Sequence, residues 1–182
     1  MKRLLIVLVV VVMLGGVGGN VFAQNLPGVA PEGDNPKNAV GIDLGTLFGS
    51  LIAGGFGIGG SYERELIPIL SIKVTGSFAS FPLYGSLVSA TGAARWYFLK
   101  TSLNGPYVSA GGGVGIMLTG GTAVMPIIYG EGGYKFTVMN GGESGFFVEP
   151  FVGFSYQPFN ISGPGMVNLG GFSFGANLGW SF

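Results

Sequence analysis

Seven charged side chains carry most of the chemistry available to this sequence: Asp43, Glu63, Lys73, Arg95, Glu131, Lys135 and Glu149. Each takes the small or polar parity of a two-residue alternation whose other parity is apolar. Glu and Lys can act alone as proton acceptors. Acids and bases gathered on one parity are instead arranged to neutralise one another. The chain has no His and no Cys, so a serine nucleophile would lack its usual base and a metal site would need carboxylates alone. The run from Gly111 to Gly115 is not a phosphate loop, because no helical pattern follows it. The expectation is a non-enzyme, with no catalytic residue, no metal and no cofactor.

The elements that carry these charges read as strands. A period of two marks a strand with one apolar and one polar face. Eight such stretches follow from residue 39, at about 39–48, 54–65, 69–80, 85–99, 106–118, 127–139, 145–157 and 168–182. The ending is the clearest: Phe172, Phe174, Ala176, Leu178, Trp180 and Phe182 alternate with Ser173, Gly175, Asn177, Gly179 and Ser181. In a soluble domain such a strand is an edge that invites aggregation. In a closed barrel it is a wall with lipid on its apolar side. Turn chemistry at Pro68, Asn104-Gly105-Pro106 and Asn140-Gly141-Gly142 marks one barrel end, expected to be periplasmic. The connections near 49–53, 81–84, 119–126 and 158–167 mark the other.

Composition points the same way. Only 9% of the 182 residues are charged, against 37 Gly, 15 Phe and 7 Tyr, where a soluble domain carries about a quarter charged residues. Past the first twenty residues no apolar run reaches the ~20 residues of a helical span, which leaves the closed β-barrel as the membrane solution. Tilted spans of about 9–11 residues fit each stretch. Gly-packed membrane helices conflict with the period of two, and a Gly-rich soluble sandwich stands beside them as the other, less favoured alternative.

Residues 1–23 read as a cleaved signal peptide, with Lys2 and Arg3 before an apolar run from Leu4 to Leu14 and a cut after Ala23. Residues 24–38 read as a flexible lead-in, and 39–182 as the barrel. Removing Lys2 and Arg3 from eight basic residues leaves six against eight acidic ones, a net charge of −2. With no basic stripe, nucleic acid is not an expected partner. The absence of Cys removes any lipoprotein acyl site or disulfide framework.

Gly92-Ala93-Ala94-Arg95-Trp96-Tyr97-Phe98, followed by Pro106-Tyr107-Val108 and Gly111-Gly112-Gly113-Val114-Gly115, is similar to a stretch common among small outer-membrane barrels. Together with the strand pattern, residues 39–182 resemble the OmpA, OmpX and OmpW type. The resemblance implies an all-β, eight-stranded, antiparallel up-and-down transmembrane barrel in the bacterial outer membrane. It implies that Trp180 and Phe182 form an assembly signal read by the insertion machinery. The glycine such signals carry five residues before the end falls on Asn177 here, with Gly175 two residues earlier. Outer-membrane lipid is the expected partner and a monomer the expected state.

A lumen of eight strands is just wide enough for side chains to fill, and unpaired charges there are costly. Glu63, Lys73, Arg95, Glu131, Lys135 and Glu149 are therefore expected to form a luminal ion-pair network, similar to the salt-bridged core of the OmpA barrel. Gly57, Gly59, Gly111, Gly113 and Gly115 share the inward parity and are expected to leave room for Tyr97, Tyr129, Phe147 and Phe151. Tyr62, Trp96, Phe98, Tyr156 and Trp180 are candidates for interfacial girdles. Three functions follow: a structural barrel plugged by its ion pairs, a narrow OmpW-like channel for small hydrophobic solutes, and a surface adhesin or interaction protein.

Overall fold

Eight strands close into an antiparallel barrel in the computed structural model, which describes residues 36–82, 85–99, 103–118, 122–140, 144–160, 166–168 and 170–182. The segments read as signal peptide and most of the lead-in lie outside the described residues. So do parts of the connections near 83–84, 100–102, 119–121, 141–143 and 161–165.

The barrel strands are β1 (Asn38–Asp43), β2 (Phe56–Ile67), β3 (Leu70–Phe81), β4 (Gly85–Tyr97), β5 (Gly105–Leu118), β6 (Thr122–Asn140), β7 (Ser144–Tyr156) and β10 (Phe172–Ser181). They pair in chain order, and β1 closes the ring against β10. Ala39 lies opposite Ser181 and Asp43 opposite Asn177, while on the other side Asn38 lies opposite Arg64 and Ile42 opposite Gly60. Two short strands, β8 (Pro158–Asn160) and β9 (Met166–Asn168), form a separate hairpin inside the last long connection.

The alternation is turned inside out relative to a soluble protein. Val40, Ile58, Ile72, Val74, Val88, Val114, Phe136, Val148 and Phe154 are exposed on the outer wall. Arg95, Lys135, Glu149 and Glu63 are buried. Of the girdle candidates, Tyr62, Trp96, Phe98 and Trp180 lie toward the turn end, whereas Tyr156 lies at the opposite end, where β7 finishes. Among the described residues no helix is long and apolar enough to cross a membrane.

One expected strand is corrected. The stretch read as a strand over 39–48 leaves the wall at Asp43 and continues as a helix, α1 (Leu44–Ile52). Asp43 keeps an extended backbone and accepts hydrogen bonds from the Thr46 amide at 3.1 Å and the Thr46 hydroxyl at 2.5 Å. That satisfies an amide the first helical turn leaves without a partner. Leu44, Leu47, Phe48 and Leu51 then follow at helical spacing, and Gly54, with φ +77°, ends the helix where only glycine is unstrained. Both periods coexist in these residues, and the cap decides between them.

Boundaries shift elsewhere too. Strand β6 begins at Thr122, within the expected 119–126 loop, and β10 begins at Phe172 rather than 168 because the β8–β9 hairpin takes up the preceding residues.

Candidate functional site: a buried ion-pair core

The turn-end half of the lumen holds one connected set of charges. Arg95, on β4, lies at its centre with a fully buried side chain. Its guanidinium reaches three carboxylates on three other strands: Glu63 of β2 at 3.1 Å, Glu149 of β7 at 2.8 Å and Glu131 of β6 at 2.5 Å. Lys135 bonds Glu63 at 2.8 Å and stands 3.8 Å from Glu149. Lys73 of β3 bonds Glu149 at 3.1 Å. Three cations thus meet three anions, and all the pairs but Lys135–Glu149 tie strands that are not adjacent in the sheet.

Neutral groups add to the shell, with Arg95 Nε and the Ser109 hydroxyl left as buried groups without a partner among the described residues. Glu63 accepts from the Tyr97 hydroxyl at 2.8 Å and from the Ser71 hydroxyl. Glu149 accepts from Asn177 Nδ2 at 2.7 Å and from the Tyr107 hydroxyl at 3.3 Å. Arg95 lies 4.2 Å above the Tyr107 ring, and Lys135 lies 4.2 Å from the Phe147 ring centre. Charges removed from water need this degree of satisfaction, because the desolvation cost otherwise exceeds the Coulombic gain. Glu149 illustrates it: one carboxylate receives two guanidinium nitrogens, an ammonium, an amide and a phenol.

Strand register explains the cluster. Lys73 lies directly across from Glu63, Ser71 from Arg95, Ser109 from Glu131, Tyr97 from Tyr107 and Asn177 from Glu149. All take the inward parity, so closure of the ring brings their side chains to one level.

The comparisons with known proteins bear on the fold. No protein-family model matches the sequence, and no curated protein matches it. Among solved structures, the N-terminal β-barrel domain of Pseudomonas aeruginosa OprF is similar, with a TM-score of 0.53 at 18% identity over 83% of this chain and 100% of that one. The chain has the fold of the OprF barrel domain. The resemblance to small barrels of the OmpA type therefore holds for the architecture.

Within this OprF-like barrel the six residues Glu63, Lys73, Arg95, Glu131, Lys135 and Glu149 come together. Asp43, the seventh inward charge, does not join them, since its carboxylate caps α1. Its departure leaves the cluster with equal numbers of positive and negative groups. Ser71, Tyr97, Tyr107, Phe147 and Asn177 are partners that the charge pattern alone does not single out. The signal for them is inward parity two residues from a charge, or a place directly across from an inward residue of the neighbouring strand.

The glycine expectation is corrected in part. A β-carbon at Gly57 would lie 2.2 Å from Ser50 Oγ, and one at Gly59 3.0 Å from Asp43 Cβ, so these two make room for α1 rather than for aromatics. The aromatics face other glycines. A β-carbon at Gly179 would lie 2.6 Å from the Phe147 ring tip, and one at Gly175 2.8 Å from that of Phe151. Gly115 lies under Met125, Ile127 and Leu87, an apolar patch on the inner wall of the mouth half.

Proposed function

We propose that the chain is an integral protein of the bacterial outer membrane with a mostly structural role, its lumen plugged by the ion-pair core. The observation that carries this reading is the connection of Arg95, Glu63, Glu131 and Glu149 across the lumen from four strands, with Arg95 and Glu149 almost wholly buried. A side-chain lattice that neutralises itself and joins opposite walls is a strut. Glu63, Glu131 and Glu149 are each bonded to a cation within it, and on this reading the protein is no enzyme and takes no cofactor or metal.

The membrane placement rests on the outer wall. A wall displaying large apolar side chains on every strand is costly in water at about 25 cal/mol per Å² of apolar surface. It is the expected face of a barrel in lipid. Residues 1–23 serve as the export signal, and a secreted chain beginning at Gln24 would support that assignment. Trp180, exposed on the outer face of β10, and Phe182, exposed just past its end, would supply the contact with the insertion machinery. The barrel is proposed to act as a monomer in lipid, without nucleic acid.

Conductance tests the plug. The purified chain in a planar bilayer should show no steady openings, and steady openings would overturn the closed-barrel reading in favour of a channel for small hydrophobic solutes. That second reading has one observation in its favour, the apolar inner patch of Leu87, Met125 and Ile127 above the charges.

A further inference from the structure

The barrel wall lacks one strand's worth of pairing at its mouth. Strand β1 stops at Asp43, but its neighbours continue. Residues Phe56 to Gly59 of β2 are paired only with β3, and residues Phe172 to Ala176 of β10 only with β7. Two free strand edges therefore face one slot, and α1 contacts both β2 and β10 there. Backbone amides and carbonyls without ladder partners are costly at membrane depth, where neither water nor lipid tails can satisfy them.

The register says what fits. Continued one residue at a time from Asp43 opposite Asn177, it sets Leu44 opposite Ala176, Gly45 opposite Gly175, Thr46 opposite Phe174, Leu47 opposite Ser173 and Phe48 opposite Phe172. On the other side it sets Asp43 opposite Gly59, Leu44 opposite Ile58, Gly45 opposite Gly57 and Thr46 opposite Phe56. The segment reaches the last residue of each free edge. On that parity Leu44, Thr46 and Phe48 face outward, with Leu44 and Phe48 joining the apolar wall beside Ile58 and Phe172, while Gly45 and Leu47 face the lumen. The first step is already in place: a β-carbon at Gly175 would lie 3.1 Å from Gly45 Cα.

We propose that the slot between β2 and β10 is a strand-docking site whose occupant is this chain's own residues 44–48, which exchange between α1 and an extension of β1. In the helical form Thr46 and Ser50 cover the inward faces of Gly59 and Gly57. In the extended form that inner wall is uncovered and the mouth above the ion-pair core is open. The plug itself is unaffected, so this exchange stands or falls apart from the proposed function.

The chain has no Cys, so introduced pairs would be the only thiols. The full chain in phospholipid vesicles would carry Phe48→Cys with Phe172→Cys, or Leu47→Cys with Ser173→Cys. Successive antiparallel pairs alternate between about 4.5 and 5.5 Å in Cα separation, so the two variants sample both pair types within disulfide reach. Ile42→Cys with Leu178→Cys, already opposite one another, is the reference. Intramolecular crosslinks at 47/173 or 48/172 on mild oxidation are expected. Their absence while the 42/178 pair closes would overturn the proposal, and disulfide-linked dimers alone would assign the slot to a second copy. Gly49→Ala adds a side chain with nothing within 4 Å and favours the helix. It should slow the 48/172 crosslink by about two- to fivefold, and an unchanged rate would overturn the exchange between helix and strand.

Discussion

The two halves of this lumen solve the same filling problem with opposite chemistry. Toward the turns, long charged side chains from five strands (β2, β3, β4, β6 and β7) meet at the axis, and their pairs run from wall to wall. Toward the mouth the inner wall carries no charged cluster: it combines the apolar patch of Leu87, Met125 and Ile127 with glycines, on two of which, Gly57 and Gly59, α1 and its cap lean. The first half is specified by charge and tolerates no missing partner. The second, beside α1, is specified by glycines that leave no room for an added side chain. Rigidity should therefore concentrate at the turn end and adjustability at the mouth, although one set of strands runs through both.

Removing Arg95 should have the largest effect. Arg95→Ala leaves Glu131 without its partner and Glu63 and Glu149 each short of one, and breaking a buried pair from one side costs about 3–5 kcal/mol. Urea unfolding in lipid vesicles, followed by tryptophan fluorescence, should show that loss. If stability were unchanged and the bilayer still showed no conductance, the strut reading of the charged half would fail. Replacing only Glu131, which makes one bond to Arg95 and is the least buried of the three carboxylates, should cost less than removing Arg95.

The mouth should respond to the opposite kind of change. Gly57→Val inserts atoms where Ser50 already sits 2.2 Å from a β-carbon and the Thr46 carbonyl 2.9 Å. Overpacking of this kind costs about 1–3 kcal/mol when neighbours cannot give way. Here α1 can move, so the expected result is the lower end of that range together with displacement of the helix. A spin label at Ser50 should report the displacement as increased mobility. A cost comparable to that of Arg95→Ala, with α1 still in place, would show that the mouth is as rigid as the core.

The charged half was legible in the sequence because the period of two assigns each charge a side, and a closed eight-stranded ring leaves the inside nowhere to hide a charge. Parity gave the six members but not their pairing. Glu63 lies directly across from Lys73 yet bonds Arg95 and Lys135, because the connections cross the lumen and depend on ring closure rather than on neighbouring strands. The mouth was less legible. Leu44, Leu47, Phe48 and Leu51 fit a helix while Val40, Ile42 and Leu44 fit a strand, and composition does not separate the two. The deciding contact, Asp43 with Thr46, is a local cap that reads in the sequence as one more inward charge. Gly57 and Gly59 were correctly placed on the inner face, but what fills the space beside a glycine is a tertiary matter.

The smallest effect expected is also the sharpest test of the division. Asp43→Ala removes the N-cap of α1, a loss of about 1 kcal/mol, while Thr46 loses both its bonds to that carboxylate. Asp43 shares no bonding partner with Arg95, and effects at sites without shared partners add within about 0.5 kcal/mol. The double variant Asp43→Ala with Arg95→Ala should therefore lose the sum of the two single losses in the same unfolding measurement. A coupling well above that margin would mean that the helix at the mouth is held through the charged core, because strands β1 and β10, which carry Asp43 and the glycine beside Gly45, also carry Asn177 onto Glu149. Additivity would leave the mouth free to change shape over a core that does not.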